Sequence, residues 1–388
     1  MKIVDLREIS VPLVANIANA LVSFSSHTVS LVALVTDVVR DGKPLCGLAF
    51  NSIGRFAQGG LLRERFFPRI AGTDPEALLT EDGQTLCPRK LRDAAMANEK
   101  PGGHGDRAAA VAAIELAAWD LNAKLRAEPA WRTIARSFGN NAPIDAVPVY
   151  AAGGYYHDDN DIAGLMQELQ GYRELGYQSY KIKIGGAPLS QDLARLDAAC
   201  TVAATPGHVA VDANGRFDLT TALTYARALS SYGLRWFEEP GDPLDFALNQ
   251  ALTSEFPDPI ATGENLFSTA DVRNLLRYAG MRQQRDVFQM DPGLSYGLTE
   301  YVEMIELLET NGYLRAQMHP HGGHLINLHV VAGLSLGGCE AYPGVFSPFG
   351  GFSPDCSTAN GYIQPGMAAG FGLEQKPELA PSIARILA

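Results

Sequence analysis

The stretch SYKIKIGG, Ser179 to Gly186, places Lys181 and Lys183 two residues apart in an apolar, β-branched run that ends in two glycines. Side chains alternate along a strand, so both ammonium groups emerge on one face. A solvated pair on an edge strand fits poorly with the flanking Tyr180, Ile182 and Ile184. The alternative is a reactive pair, in which each lysine disfavours charge on the other and lowers its pKa toward that of a general base.

Working outward, the run is one of eight. VPVYAAGG, SYKIKIGG, HVAVDANG, LRWFEEP, PIATGEN, DVFQMD, RAQMHPHGG and CEAYP alternate with longer amphipathic segments from Val147 onward. Each is too short for a helix and ends in polar or glycine residues, the pattern of βα units and a parallel sheet. Eight units fit a (β/α)-barrel. Lys183, Asp212, Glu238, Glu264, Asp291 and His321 follow one another at intervals of 26 to 30 residues. One strand, one helix and two loops need about this length. A polar residue therefore recurs at the C-terminal end of successive strands, the rim where barrel enzymes carry their chemistry.

Three of these residues are acids: Asp212 in VDANG, Glu238 in WFEEP and Glu264 in TGEN. Three carboxylates at one rim repel one another unless something neutralises them. All-oxygen ligation favours Mg²⁺, with Mn²⁺ as a substitute, over zinc. Taken singly, each acid also reads as an ordinary loop residue or helix cap. HPHGGH holds His319, His321 and His324 near the seventh run. A His-x-His pair can bind zinc, but the acid trio is complete without it, so His321 reads as an acid/base group with Asp291 placed to fix its tautomer. Glu340, in GGCEAYP, reads either as a structural acid or as a partner to a substrate carboxylate.

Ahead of the barrel pattern, TVSLVALVTDVVRDGKPLCGLAF reads as two strands joined at Asp-Gly. Asp74 to Asn98 is polar and helix-like. NEKPGGHGDR (Asn98 to Arg107) is a glycine-rich loop, either a plain connection or a lid, and an Ala-rich amphipathic helix follows. With 388 residues and 46% hydrophobic content the chain can bury a large core in two domains. The formal net charge of −12 leaves no basic footprint for nucleic acid and repels anionic lipid, while a cleft can still attract a small anion. Five scattered cysteines without CxxC spacing, and an N-terminus with acids where a signal peptide needs an apolar run, point to a cytoplasmic enzyme. No segment reads as a bilayer span.

These features together resemble the enolase superfamily in its mandelate racemase-like branch. The matching residues are Lys-x-Lys of YKIKIGG, Asp212 with Asn214 in VDANGRF, Glu238 in WFEEPGDP, Glu264 in ATGEN, Asp291, and His321 of PHGGH. NEKPGGHGDR, AAGGYY, GENLFS, NLLRY and PHGGH in order look most like the D-tartrate dehydratases of that branch. The resemblance implies a modified barrel, (β/α)7β, over residues 146–345, an α+β capping domain over 1–145, and a C-terminal segment, 346–388, that returns to the cap. It implies one Mg²⁺ per subunit on Asp212, Glu238 (the first acid of EEP) and Glu264. It implies catalysis by Lys183, Lys181, His321 and Asp291, substrate contacts from Asn19, Asn51, Lys100, Asn214 and Glu340, and a symmetric homo-oligomer. Two positions depart from the pattern: Asp291 is followed by PGLSYG rather than Gly-Gly, and Ile53 stands in FNSIGR where a polar residue is expected.

The implied reaction is α-proton abstraction from a small hydroxy diacid followed by loss of β-hydroxide. Within the fold, a racemase or a dehydratase of a longer aldarate or aldonate is the alternative. From other classes, a glycosidase barrel leaves Lys-x-Lys unexplained, and a non-catalytic binding protein leaves the whole rim unexplained.

Overall fold

A computed structural model describes residues 1–139, 142–156 and 161–388. Near the N-terminus, β1 (Ile3–Pro12), β2 (Thr28–Arg40) and β3 (Lys43–Phe50) form an antiparallel sheet with β2 in the centre. The β2–β3 hairpin turns at Asp41 and Gly42, both at positive φ (52° and 75°), as the Asp-Gly reading requires. The long predicted helix is present at Asp106–Leu125 and is almost wholly buried. Its alanines let it approach β3 so closely that a Cβ on Gly47 would lie 2.0 Å from the Ala117 carbonyl oxygen. Asp74–Asn98, read as helix-like, holds only a short 3₁₀ turn (Pro75–Leu78) and an eight-residue helix (Pro88–Ala95), with a turn between them.

The glycine-rich loop is tied to the cap. Arg107 donates to the Tyr296 hydroxyl (3.0 Å) and to Glu99 (3.1 Å), and Glu99 also takes Arg65 and Arg69. Inside the Asp106–Leu125 helix, buried Glu115 accepts from the Leu298 and Thr299 backbone (2.8 and 3.1 Å) and from the Thr299 hydroxyl (2.6 Å). These groups open the helix Leu298–Thr310, so the carboxylate caps its N-terminus.

The larger sheet runs through β4 (Val147–Ala152), β5 (Tyr180–Lys183), β6 (Val209–Asp212), β7 (Trp236–Glu238), β8 (Ile260–Thr262) and β9 (Val287–Phe288). These strands are paired in that order and parallel, and β10 (Cys339–Ala341) lies parallel to β4 on the other side. Lys183 pairs with Asp212 and Asp212 with Glu238, so the repeat seen in the sequence becomes true lateral register. Beneath them Tyr150, Ala210, Trp236, Ala261 and Val287 pack together as an apolar floor.

Among the described residues the seventh of the eight strands expected for the closed barrel is missing. The seventh run forms a 3₁₀ turn, Arg315–Gln317, and a single parallel bridge from Met318 to Phe288, so the ladder between β9 and β10 is not continuous. Pro320 alternates with His319 and His321 and has no N–H to donate on the opposite, β10 side. The His319 and His321 amides still reach the Phe288 and Gln289 carbonyls (2.9 and 3.2 Å), and the Gly337 amide reaches Met318 (3.0 Å). The tail does more than return to the cap. A hairpin, β11 (Ser357–Ala359) and β12 (Tyr362–Gln364), adds antiparallel to β4 before the last helix, Ala380–Leu387, packs on β1 and β2. No described helix is long and apolar enough to cross a membrane.

His319 and His329 are buried away from any acid that pairs with them, and burial lowers each to about 3. The Trp131 amide donates to Nδ1 of His329 (3.2 Å), which fixes that nitrogen as an acceptor and the ring as neutral. The unfolded chain binds a proton at each ring below about pH 6.5, and the folded chain refuses it. Stability therefore falls as pH drops below about 6.5. His329→Asn, whose amide oxygen can take the same hydrogen bond, should flatten the slope of unfolding free energy between about pH 6 and 4 by about one proton, or ~1.4 kcal/mol per pH unit. Urea unfolding across that range measures it.

Candidate active site

The parallel strands deliver their ends to a cavity of about 340 Å³ lined on its other side by the capping loops. At the small end of ligand-site volumes, it suits a small molecule rather than a polymer. Lys181 and Lys183 both line it, as the alternation of β5 requires. So do Glu264, which lies two residues beyond β8, His321, and Glu340 of β10.

The lysines are held by carboxylates. Lys183 Nζ donates to Asp212 Oδ2 (2.6 Å), and Lys181 Nζ donates to Glu238 Oε1 (2.5 Å) and lies 2.8 Å from Glu340 Oε1. These acids oppose the mutual depression expected of the pair beside a metal-bound substrate. Burial disfavours both ammonium ions. At Lys183, Asp212 and then Tyr155 outweigh it, and at Lys181, Glu238, Glu340 and Asp212 do so. Both lysines are therefore raised, because several buried acids act where the sequence reading counted only the neighbouring lysine.

Asp212 and Glu238 are fully buried and lie beneath the cavity lining. Asn214, in left-handed backbone (φ 48°), turns its own N–H back onto Asp212 Oδ1 (2.9 Å) and lines the cavity. Glu238 Oε2 accepts from Trp236 Nε1 (2.9 Å) and Gln289 Nε2 (2.7 Å). The second acid of EEP, Glu239, also lines the cavity, at φ 36°, and both its oxygens accept from Asn265 (2.9 and 3.0 Å).

Among the described residues, no three His, Cys, Asp or Glu side chains close into a metal-ligand cluster. The donor chemistry nevertheless fits a hard divalent cation. Burial and then the Asp212 charge, opposed by Lys181, raise Glu238 to about 7, and burial and Glu264 push Glu239 well above the carboxylate range. The rim is thus short of positive charge even with two lysines in it, and the buried Asn214 Oδ1 has no hydrogen-bond partner.

Across the cavity, His321 Nδ1 lies 3.2 Å from Asp291 Oδ2. The turn at Pro292–Gly293 preserves this geometry without a Gly-Gly pair, since the Gly293 amide donates to Asp291 Oδ1 (2.8 Å). Burial lowers the imidazolium, but Glu264 and the Asp291 hydrogen bond outweigh it and raise His321 to about 9. Tyr342 adds a hydroxyl 3.3 Å from His321 Nε2 and donates to Glu340 Oε2 (3.2 Å). His319 packs against Trp236, and His324 caps the helix Leu325–Leu334.

The expected capping-domain contacts divide. Asn19 lines the cavity, with its Oδ1 accepting from the Leu21 and Val22 amides (2.9 and 2.8 Å). Asn51 does not line it. It is fully buried, and its Oδ1 accepts from the Ser30 amide (2.7 Å) in a structural role. Lys100 is exposed, and no residue of the Asn98–Arg107 loop reaches the cavity. Ile53 does line it, and so does Arg55 of the same loop, which the sequence reading passed over along with Glu239 and Tyr342. Tyr342 stands two residues beyond Glu340, a same-face spacing that marks it in the sequence.

Residues 164–379 match the family described as enolase C-terminal domain-like. The chain is 28% identical over 236 residues to an arabinonate dehydratase from Saccharolobus solfataricus, covering 60% of this chain and 61% of that one. It is 30% identical over 232 residues to a 3,6-anhydro-alpha-L-galactonate cycloisomerase from Streptomyces coelicolor, covering 60% and 59%. The matches thus span about three fifths of the length of these curated relatives. The crystal structure of L-talarate dehydratase from Polaromonas sp. JS666, complexed with Mg and L-glucarate, superposes with a TM-score of 0.78 at 25% identity, over 97% of this chain and 95% of that one. The chain belongs to the enolase C-terminal domain-like family, within the mandelate racemase/muconate lactonizing branch of the enolase superfamily.

Proposed function

We propose that the protein is a Mg²⁺-dependent hydro-lyase that converts D-tartrate to oxaloacetate. The observation that carries this reading is the placement of Lys183 and of the Asp291-oriented His321 on one small cavity, with carboxylates grouped between them. Lys183 takes the proton α to the substrate carboxylate, and Lys181 offsets the enolate charge. His321 gives its Nε2 proton to the β-hydroxyl as it departs, so water leaves and the enol of oxaloacetate remains. Such proton donation contributes ~10²–10⁴-fold. Asp212, Glu238 and Glu264 would hold Mg²⁺, which would supply positive charge to offset these acids and the enolate and so loosen the pairing of Asp212 with Lys183.

A second reading, dehydration of a longer aldarate or aldonate, is favoured by the names of the relatives. The cavity, about 340 Å³, has room for either acid, so the choice of the four-carbon acid rests on the sequence resemblance. Racemisation would use the same two groups but would return a stereoisomer instead of a keto acid.

Proton NMR of D-tartrate in D₂O with Mg²⁺ separates these readings: oxaloacetate should appear as the substrate signal is lost. Lys183→Ala should reduce both α-proton exchange and elimination by at least ~10³-fold, and near-wild-type turnover would remove it from the base role. His321→Asn should block elimination while exchange continues. Asp291→Asn should slow elimination by ~10²-fold with less effect on exchange. Chelation should abolish both reactions, and Mg²⁺ or Mn²⁺ should restore them.

A further inference from the structure

Four cationic side chains line the cavity, and three are committed to acids. Lys181 pairs with Glu238 and Glu340, Lys183 with Asp212, and His321 with Asp291. The fourth is Arg55, which forms no ion pair among the described residues. Its guanidinium donates to Asn265 Oδ1 and lies 5.1 Å from the centre of the Phe267 ring. Both partners follow β8 and both are neutral. They aim the guanidinium without discharging it.

A planar fork of five N–H donors, half-buried, oriented by an aromatic face and left without a counter-charge, is suited to bidentate capture of a carboxylate. The wall around it strengthens that preference, because Ile53, from the same loop, is apolar and 2% exposed. A charge pair formed beside it is less screened than one in open solvent. Arg55 also sits on the capping side, whereas Lys181 and Lys183 rise from the barrel floor. A substrate with its reacting carboxylate near the lysines presents its far end to the cap.

We infer that Arg55 receives the second carboxylate of the substrate and selects diacids over monoacids. This assignment rests on the hydroxy-acid reading above. It also accounts for Ile53: the polar contact expected at that position is supplied two residues later in the same loop. The competing role is mechanical, with Arg55 merely fastening its loop to the barrel through Asn265.

The test compares dissociation constants of the Mg²⁺-loaded protein for D-tartrate and for threonate, which carries a hydroxymethyl group where tartrate has its second carboxylate. Arg55, Arg55→Lys and Arg55→Met are compared by calorimetry, each in a Lys183→Ala background so that binding is read without turnover. Arg55→Met should weaken D-tartrate by about 10²-fold, Arg55→Lys by less, and threonate by under about 3-fold in either variant. Equal weakening of both acids, or unchanged tartrate affinity, overturns the assignment in favour of the mechanical role. Protein with Arg55 intact that binds threonate as tightly as tartrate overturns it too. Protein with Arg55 intact that binds neither acid brings down the hydroxy-acid reading itself, an outcome distinct from a failure confined to Arg55.

Discussion

Lys181 is the charge on which the rim depends. Its ammonium lies within 3.5 Å of Asp212, Glu238 and Glu340, acids carried on three different strands, all fully buried. Taking an ion out of water costs several kcal/mol after relaxation, and three buried like charges add mutual repulsion. One central cation offsets both. It also acts where the backbone does not close the sheet. Glu340, held by Lys181 on one side, accepts from the Gly322 amide (2.7 Å) on the other, so side chains bind β5 and β10 to the segment that replaces the missing strand. The double lysine that marks the sequence is therefore split in its partners: Lys181 holds acids of three strands together, whereas Lys183, the proposed base, is paired with Asp212 alone.

Much of this was legible in the chain. The intervals of 26 to 30 residues located the rim because a βα unit has a nearly fixed length, and the register of Lys183, Asp212 and Glu238 follows from it. Position two residues apart on a strand was equally readable for Lys181 and Lys183. The seventh run reads as a strand from its length and its place in the alternation, and that reading passes over Pro320, which removes a ladder donor. The lysine pKa reading used the nearest charge in sequence beside a bound metal, while the field of the side chains themselves is set by acids brought from other strands.

The cap was least legible. Loop residues carry no periodicity, so nothing in FNSIGR says that Ile53 and Arg55 reach the cavity while Asn51 turns inward to hold the Ser30 amide. Lys100 is expected at the substrate only through the family resemblance, but its loop is tied to Tyr296 and Glu99 away from the cavity. Glu239 was passed over because two adjacent acids compete for one role, and only its left-handed backbone shows that the second one also turns toward the cavity.

Glu115 has a consequence for how such an enzyme can change. Cap and barrel are fastened by a carboxylate inside the Asp106–Leu125 helix, seated on the opening amides of the Leu298–Thr310 helix and belonging to none of the cavity-lining loops. Attachment and recognition therefore draw on different residues. The loops bearing Asn19, Ile53 and Arg55 can accumulate substitutions that redraw what the cavity accepts while the joint stays intact. A new preference need not be purchased with a loosened architecture.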